Sequence, residues 1–176
     1  MKLHPGIVLV LGCCLALSAT DAKPKADVLN RWVGGKWVGE GKFVDSDYSK
    51  ANKVSGVTKC AWSPDHVFVI CDQDVNFGGS PMRDLSIYAF NPATGKFNYS
   101  QVNLSGERPR TGDLEINSDG DRWTYLGSMD DHGKTVRFRT TNQFHGNDQV
   151  EWWSEFSADG GKTWIKTGEG KETRQR

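Results

Sequence analysis

Two glutamates, an acidic loop with a histidine and a pair of cysteines are the residues whose types and spacing could do chemistry. Glu151 and Glu155 share one face of a predicted strand at 149–157, and paired carboxylates can act as general acid and base. Trp153 lies between them on the same face, and Lys or Arg on flanking strands would pair with both. We therefore interpret the two glutamates as part of a solvated outer face.

The segment Asp130-Asp131-His132 combines oxygen and imidazole groups, which are metal ligands. Adjacent residues of one loop rarely converge on one ion, and Gly133-Lys134 is typical of a turn, so no metal site is predicted. The chain lacks GxSxG, HExxH and Cys-His patterns, so no enzyme is predicted. A weaker alternative, an enzyme or isomerase with interior tyrosines, needs a strongly perturbed acid or base inside the fold, where we expect none.

The two cysteines lie in CAWSPDHVFVIC, residues 60–71, which indicates two short strands around a turn at 63–66. A turn centred on Pro64-Asp65 puts residue 60 opposite residue 69, so that Cys71 lies diagonally from Cys60 on the same face. We predict a disulfide that stabilises the fold by about 3 kcal/mol, and two packed free cysteines are the alternative.

Residues 1–22 have the form of a secretory signal, with Lys2, an apolar run from Ile7 to Leu17 and small residues before a cut after Ala22. A lipoprotein attached through Cys13 is a minor alternative. The expected product is one secreted or periplasmic domain, residues 23–176, with no membrane span. The chain has 22 basic and 22 acidic residues, which argues against nucleic acid as a partner.

The organisation is nearly all-β, because apolar and polar residues alternate between Gly, Asp, Asn and Pro turns from residue 36 onward. Ten antiparallel strands joined by hairpins would close into a barrel. The predicted strands are 36–44, 51–62, 67–74, 84–90, 96–104, 111–117, 122–128, 135–144, 149–157 and 163–174. Tight turns at one end and longer connections at 75–83, 105–110 and 129–134 predict a mouth at the second end. A short helical turn capped by Asp27 should precede the first strand.

The start of the first strand, Gly35-Lys36-Trp37, resembles the GxW signature of lipocalin-type barrels. In those folds the tryptophan fills the closed end, and an arginine of the last strand packs over its ring. Arg174 ends the predicted last strand at the same end as Trp37. We therefore expect these two residues to meet in a structural contact.

The segment from Ser157 to Trp164, SADGGKTW, also matches the Asp-box of sialidase-type propellers, in which the Asp caps a hairpin turn. One copy cannot form a propeller, which needs at least four blades. We interpret it as a turn that has converged on the same hydrogen bonds.

A wider resemblance rests on LNRWVGGKWVGEG, CAWSPDHVFVIC, YAFNPATGKFNY and WWSEFSADGGKTW with GEGKETR, taken in that order. In these features the chain resembles the bacterial family called domain of unknown function 1579, over about residues 27 to 174. The resemblance implies a lipocalin-like, calycin-type barrel and no established activity. A more distant likeness is to nitrobindin, a haem barrel. Because His66, His132 and His145 all fall in predicted turns, no haem and no other cofactor is expected.

The interior of the predicted barrel is the remaining candidate site, lined by aromatic rings and uncharged hydrogen-bonding groups. Its expected residues are Tyr99, Gln101, Asn103, Trp123, Tyr125, Phe138, Thr140, Asn142 and Trp152. Arg83, Arg108 and Arg110 would lie at the rim, where they could contact an anionic group.

Two hypotheses for function follow from this interior. The first is a barrel that binds a small, partly apolar or weakly polar ligand. The second is a structural or interaction module with a filled core that binds another envelope protein, in which case Phe77 and Met82 should form an exposed apolar rim.

Overall fold

The protein is a closed barrel of ten antiparallel strands, preceded by one 3-10 helix; the computed structural model describes residues 25–104 and 110–176. Each strand pairs with its neighbours in the chain, and the tenth closes the sheet against the first, which confirms the all-β prediction. The helix η1 is Ala26–Arg31, and the strands are β1 Lys36–Phe43, β2 Asn52–Trp62, β3 Phe68–Phe77, β4 Ser80–Asn91, β5 Lys96–Asn103, β6 Arg110–Ile116, β7 Arg122–Asp131, β8 Lys134–His145, β9 Gln149–Ser157 and β10 Ile165–Gln175.

The closed end is formed by tryptophans and by the last arginine of the barrel. Trp37 is 0% exposed, and its indole nitrogen donates a hydrogen bond of 3.1 Å to the carbonyl of Trp32. The Cζ atom of Arg174 lies 4.6 Å from the centre of the Trp37 ring. Two guanidinium nitrogens of Arg174 donate to the carbonyls of Val33 and Arg31. The expected Trp37–Arg174 contact is thus present, and it ties the helical segment to β10.

The short helix lies across this end and differs from the prediction at its first residue. Lys25 occupies the capping position, where no side chain makes a capping hydrogen bond, and Asp27 lies in the first turn instead of capping it. Leu29, which is 0% exposed, joins the core of the closed end. No helix in the described residues has both the length and the apolar character needed to cross a membrane.

The connections at the second end are shorter than predicted in two places. Strands β3 and β4 continue through most of 75–83 and are joined by Gly78 and Gly79, both with positive φ. His132 and Gly133 connect β7 to β8 in the same way. Two-residue turns of this backbone type match the twist of paired strands. The prediction of long mouth loops at 75–83 and 129–134 was therefore wrong, and the strands themselves reach the rim.

The predicted disulfide joins Cys60 and Cys71, but the predicted register of its hairpin was wrong. Cys60 lies directly opposite Cys71. The turn extends to residue 67, because the Ser63 amide bonds the Phe68 carbonyl and the Ser63 hydroxyl bonds the Asp65 carboxylate. This longer turn shifts the pairing by two residues, so the cysteines become direct cross-strand neighbours.

Candidate functional site: the barrel interior and its mouth

Pairing between strands defines the interior face, because residues directly opposite each other point to the same side of a sheet. Starting from Trp37 and Arg174, the register passes round the barrel and includes every residue that was expected inside. These residues are Tyr99, Gln101, Asn103, Trp123, Tyr125, Phe138, Thr140, Asn142 and Trp152.

Exposure of these inward-facing side chains changes from one end of the barrel to the other. At the closed end Trp37 and Trp123 are 0% exposed and Phe144 is 3% exposed. Toward the second end Phe138, Trp152 and Phe156 face the same interior, yet they are only partly buried. The barrel is thus sealed at one end and accessible to solvent from the other.

A cluster of three tyrosines separates the sealed part from the accessible part. The ring of Tyr125 lies 5.9 Å from that of Tyr88 and 5.2 Å from that of Tyr99, centre to centre. The Asn142 amide donates a hydrogen bond of 3.2 Å to the Tyr125 hydroxyl. Burial raises the pKa of all three phenols, that of Tyr99 to about 12. They therefore remain protonated at neutral pH and act as neutral hydrogen-bonding groups.

A second set of polar side chains lines the interior on strands β2 to β5. The Ser86 hydroxyl donates to the Gln73 carbonyl oxygen at 2.9 Å, and the Gln73 amide lies 3.4 Å from the Thr58 hydroxyl. Gln101 donates a hydrogen bond of 2.9 Å to Asp84, which is 5% exposed. The expectation of an interior with only uncharged groups was therefore wrong, because Asp84 is an interior acid.

Glu172 is a further acid inside the barrel. It lies opposite Gly39 on β1 and Val150 on β9, and so shares the interior face with Arg174 two residues later. It retains some accessible surface, but the surrounding protein removes enough water to raise the pKa of its carboxyl to about 7. Glu172 was not predicted from the sequence, although a signal was present. Residues two apart on a strand share a face, so the expected inward position of Arg174 implied an inward position for Glu172.

Glycines on β1 and β10 make room for the large side chains of the accessible part. A Cβ atom at Gly41 or at Gly170 would lie 2.5 Å from Cζ2 of Trp152. The Trp152 indole therefore lies flat against a wall without side chains. Phe43 packs beside it, with ring centres 5.9 Å apart.

The rim of the mouth is also aromatic. Tyr48, from the β1–β2 connection, stacks on Phe156 with ring centres 5.2 Å apart. Phe77 contacts Phe43 at 5.7 Å between ring centres. Phe77 and Met82 face the interior and are partly buried, so they do not form the exposed apolar rim that would favour the interaction module.

The three arginines expected at the rim have different positions. Arg83 lies on the outer face, where its guanidinium binds both carboxylate oxygens of Asp72 at 2.9 and 2.5 Å. Arg110 is exposed at the start of β6, opposite the inward-facing Gln101, and its charge acts to lower the pKa of Tyr99. Arg108 lies outside the described residues. Of the two arginines that the structure describes, Arg110 is therefore the one placed where it could meet a molecule entering the barrel.

The two acidic groups that were considered first lie away from the interior. Glu155 receives two hydrogen bonds from Arg139, and Glu151 pairs with Lys171 and His145. These are ion pairs on the outer face of neighbouring strands.

In the β7–β8 turn, the Asp130 carboxylate accepts the Gly133 amide at 3.0 Å, which is ordinary turn chemistry. Among residues 25–104 and 110–176, no three His, Cys, Asp or Glu side chains are grouped to hold a metal ion.

Solved structures show the same barrel. The S-type phycobiliprotein lyase CPES from Guillardia theta is similar, with a TM-score of 0.58 and 10% identity over 85% of this chain and 92% of that chain. Rv2717c from M. tuberculosis is also similar, with a TM-score of 0.59 and 15% identity over 88% of this chain and 100% of that chain. At these identities the likeness concerns the fold alone.

The sequence comparisons agree with the resemblance that the motifs indicated. No curated protein sequence matches the chain. The model of the family "Protein of unknown function (DUF1579)" matches residues 22–174, which include almost all of the barrel. The chain therefore belongs to this family, whose members are described as having no known function.

Proposed function

We propose that the protein binds a small molecule with an apolar, aromatic-compatible body in the barrel interior. One observation carries the proposal: inward-facing rings near the mouth are only partly buried, whereas those at the closed end are sealed. Sites for small molecules are concave, largely apolar and supplied with a few polar groups. Trp152 and Phe138 supply apolar surface, and Tyr99, Thr140 and Asn142 supply hydrogen-bonding groups. The likeness to a phycobiliprotein lyase supports this proposal at the level of the fold.

Secretion is part of the same proposal. The expected signal, residues 1–22, and the minor lipoprotein alternative at Cys13 lie outside the described residues. The Cys60–Cys71 disulfide supports a secreted or periplasmic location, because disulfides persist in oxidising compartments. We propose that the mature protein is a single domain, residues 23–176.

Binding can be tested with a neutral solvatochromic dye and a substitution that fills the interior. Thr140 faces inward and is only partly buried, beside Tyr125 and Ser154. Thr140→Trp should reduce dye affinity by about tenfold or more, because the new ring occupies the accessible space. Thr135→Trp is the matched control, since Thr135 lies exposed on the outer face of the same strand. Unchanged affinity in Thr140→Trp, with folding verified by circular dichroism, would refute interior binding.

Native mass spectrometry of the protein from its own envelope, against its denatured mass, would identify a bound molecule. A discrete additional mass that is released on denaturation is the expected result. A bare protein mass would favour the second hypothesis below.

A second candidate function, docking of another envelope protein, is supported by a different observation. Four large apolar side chains at the mouth end are 44 to 50% exposed: Val44, Leu104, Met129 and Ile165. Apolar side chains exposed around one rim give an interaction site where they form a contiguous patch. In crosslinking of whole cells, a partner captured through this rim would support the candidate, and loss of the crosslink in Met129→Glu would place the contact there.

A further inference from the structure

Glu172 is the interior group whose position is least explained by packing. It lies next to the closed end of the barrel. The following inward-facing residue on β10 is Arg174, which contacts Trp37 at that end. Its side chain occupies the space left by Gly39, where any Cβ atom would collide with the Glu172 Cγ atom. Glu172 keeps part of its surface accessible, as do Trp152 and Phe138, which lie nearer the mouth on the same interior face.

The carboxyl group of Glu172 makes no hydrogen bond or ion pair with any residue in 25–104 or 110–176. Arg174, the nearest cation on the same strand face, donates instead to the carbonyls of Val33 and Arg31 and lies 3.7 Å from Asp148. The direct neighbours on β1 and β9, Gly39 and Val150, carry no polar side chain. An acid left without a partner in an enclosed space is costly, so such a group usually has a function.

The surroundings of Glu172 suit a positive charge. Burial is the main cause of the raised pKa of Tyr88, and the charge of Glu172 adds to it, so the two groups lie within electrostatic reach of each other. The face of the Trp152 indole and the tyrosine rings lie nearby on the interior wall, and aromatic faces attract cations. A negatively charged ligand group would instead be repelled at this depth. The electrostatic attraction between a cation and this carboxylate is stronger in such an enclosed site than it would be in water.

We propose that Glu172 is the anchor for a protonated amine, so that the ligand is an amphipathic amine with an aromatic or aliphatic body. The inference rests on the proposed function, since it names the chemical class that the interior takes. The amine would lie at the depth of Glu172, and the apolar body would lie along Trp152 and Phe138 toward the mouth.

Three naphthalene probes with the same two-carbon arm, ending in an ammonium, a hydroxyl or a carboxylate group, test this assignment at pH 8 by titration calorimetry. Wild type should bind the amine at least about tenfold more tightly than the alcohol, and the carboxylate most weakly. In Glu172→Gln the ratio of amine to alcohol affinity should fall to about one, with alcohol binding retained. Glu169→Gln is the matched control, because Glu169 lies on the outer face of β10, paired with Lys42 and Lys166.

The outcomes separate the two proposals. Alcohol binding without a preference for the amine in wild type, or a preference that survives Glu172→Gln, would overturn the assignment of Glu172 and leave interior binding intact. An equal loss of preference in Glu169→Gln would also overturn it. If no probe binds to wild type, the amine class is wrong, and the dye experiment with Thr140→Trp decides on interior binding independently. Glu172→Leu provides the same test if the glutamine variant does not fold.

Discussion

The substitution Glu172→Gln should change how the stability of the protein depends on pH. Desolvation raises the pKa of Glu172 to about 7 in the folded protein, from 4.5 for an ordinary glutamate. The folded state therefore holds a proton between these values that the unfolded state has lost. Since the folded state then binds more protons, stability must fall as pH rises through this window. The contribution is fully present below the unfolded pKa and is lost above the folded one.

The magnitude follows from the same two pKa values. One pKa unit corresponds to 1.36 kcal/mol, so the complete loss is roughly 3 kcal/mol, and most of it occurs between about pH 5 and pH 8. For a domain of this size that is a decrease of about 6 to 12 °C in Tm. Glutamine keeps the shape of the side chain but cannot ionise, so the variant should lose less stability over this range.

Urea unfolding at pH 5 and pH 8, monitored by tryptophan fluorescence, measures the effect. We expect the free energy of unfolding of wild type to decrease by about 2 to 3 kcal/mol more than that of Glu172→Gln. The contributions of all other titrating groups are the same in both proteins and cancel in the difference. These groups include Tyr88 and Arg174, which face Glu172 from β4 and from its own strand. Glu169→Gln should behave as wild type, because the nearby Lys166 and Lys42 lower the Glu169 pKa and place its effect below this window. Parallel pH profiles for wild type and Glu172→Gln would refute the reasoning.

Three further predictions concern the frame of the barrel. Trp37→Ala should lower the free energy of unfolding by about 3 to 5 kcal/mol, because it leaves a cavity at the closed end, and Trp153→Ala on the outer face should lower it less. An unchanged Tm for Trp37→Ala would contradict the role of Trp37 in packing the closed end. Alkylation of unreduced protein should add no mass at Cys60 or Cys71, and modification of both thiols without reductant would contradict the disulfide. Reduction of the disulfide should lower the free energy of unfolding by about 3 kcal/mol. Asp159→Asn should unfold at a higher pH than wild type during acid titration. Hydrogen bonds from Thr163 and Ser157 lower the pKa of Asp159 in the folded wild type, and the stability that they give is lost as pH falls. Acid transitions that coincide in the two proteins would exclude this role of the turn.

The turn that contains Asp159 shows how far a local motif can be read. The sequence from Ser157 to Trp164 predicted a carboxylate that caps a hairpin, and Asp159 does accept the amides of Lys162 and Thr163. All of the groups involved are within a few residues of one another, so the sequence spacing alone brings them together. The alternation within each strand is local in the same sense, and it was sufficient to predict ten strands and the inward side of Tyr99, Trp123 and Asn142.

Hairpin lengths were harder to predict, because Gly78 and Gly79 suit both a long loop and a two-residue turn. The choice depends on whether β3 and β4 continue to pair beyond Val75, and that pairing is stabilised by inward contacts such as the one between Phe77 and Phe43 on β1. The same holds for the register of the cysteine hairpin, where a side-chain bond between Ser63 and Asp65 lengthens the turn.

The sequence by itself determined the class of this protein, through strand alternation, the Trp37–Arg174 pair and the two cysteines. The tertiary structure alone decided the character of its interior. Glu172 can face inward because Gly39, more than a hundred residues away in the chain, pairs with it when β10 closes against β1. Trp152 has its place for the same reason, beside Gly41 and Gly170. The space for these side chains exists only where two distant strands meet, so no local pattern could have revealed it.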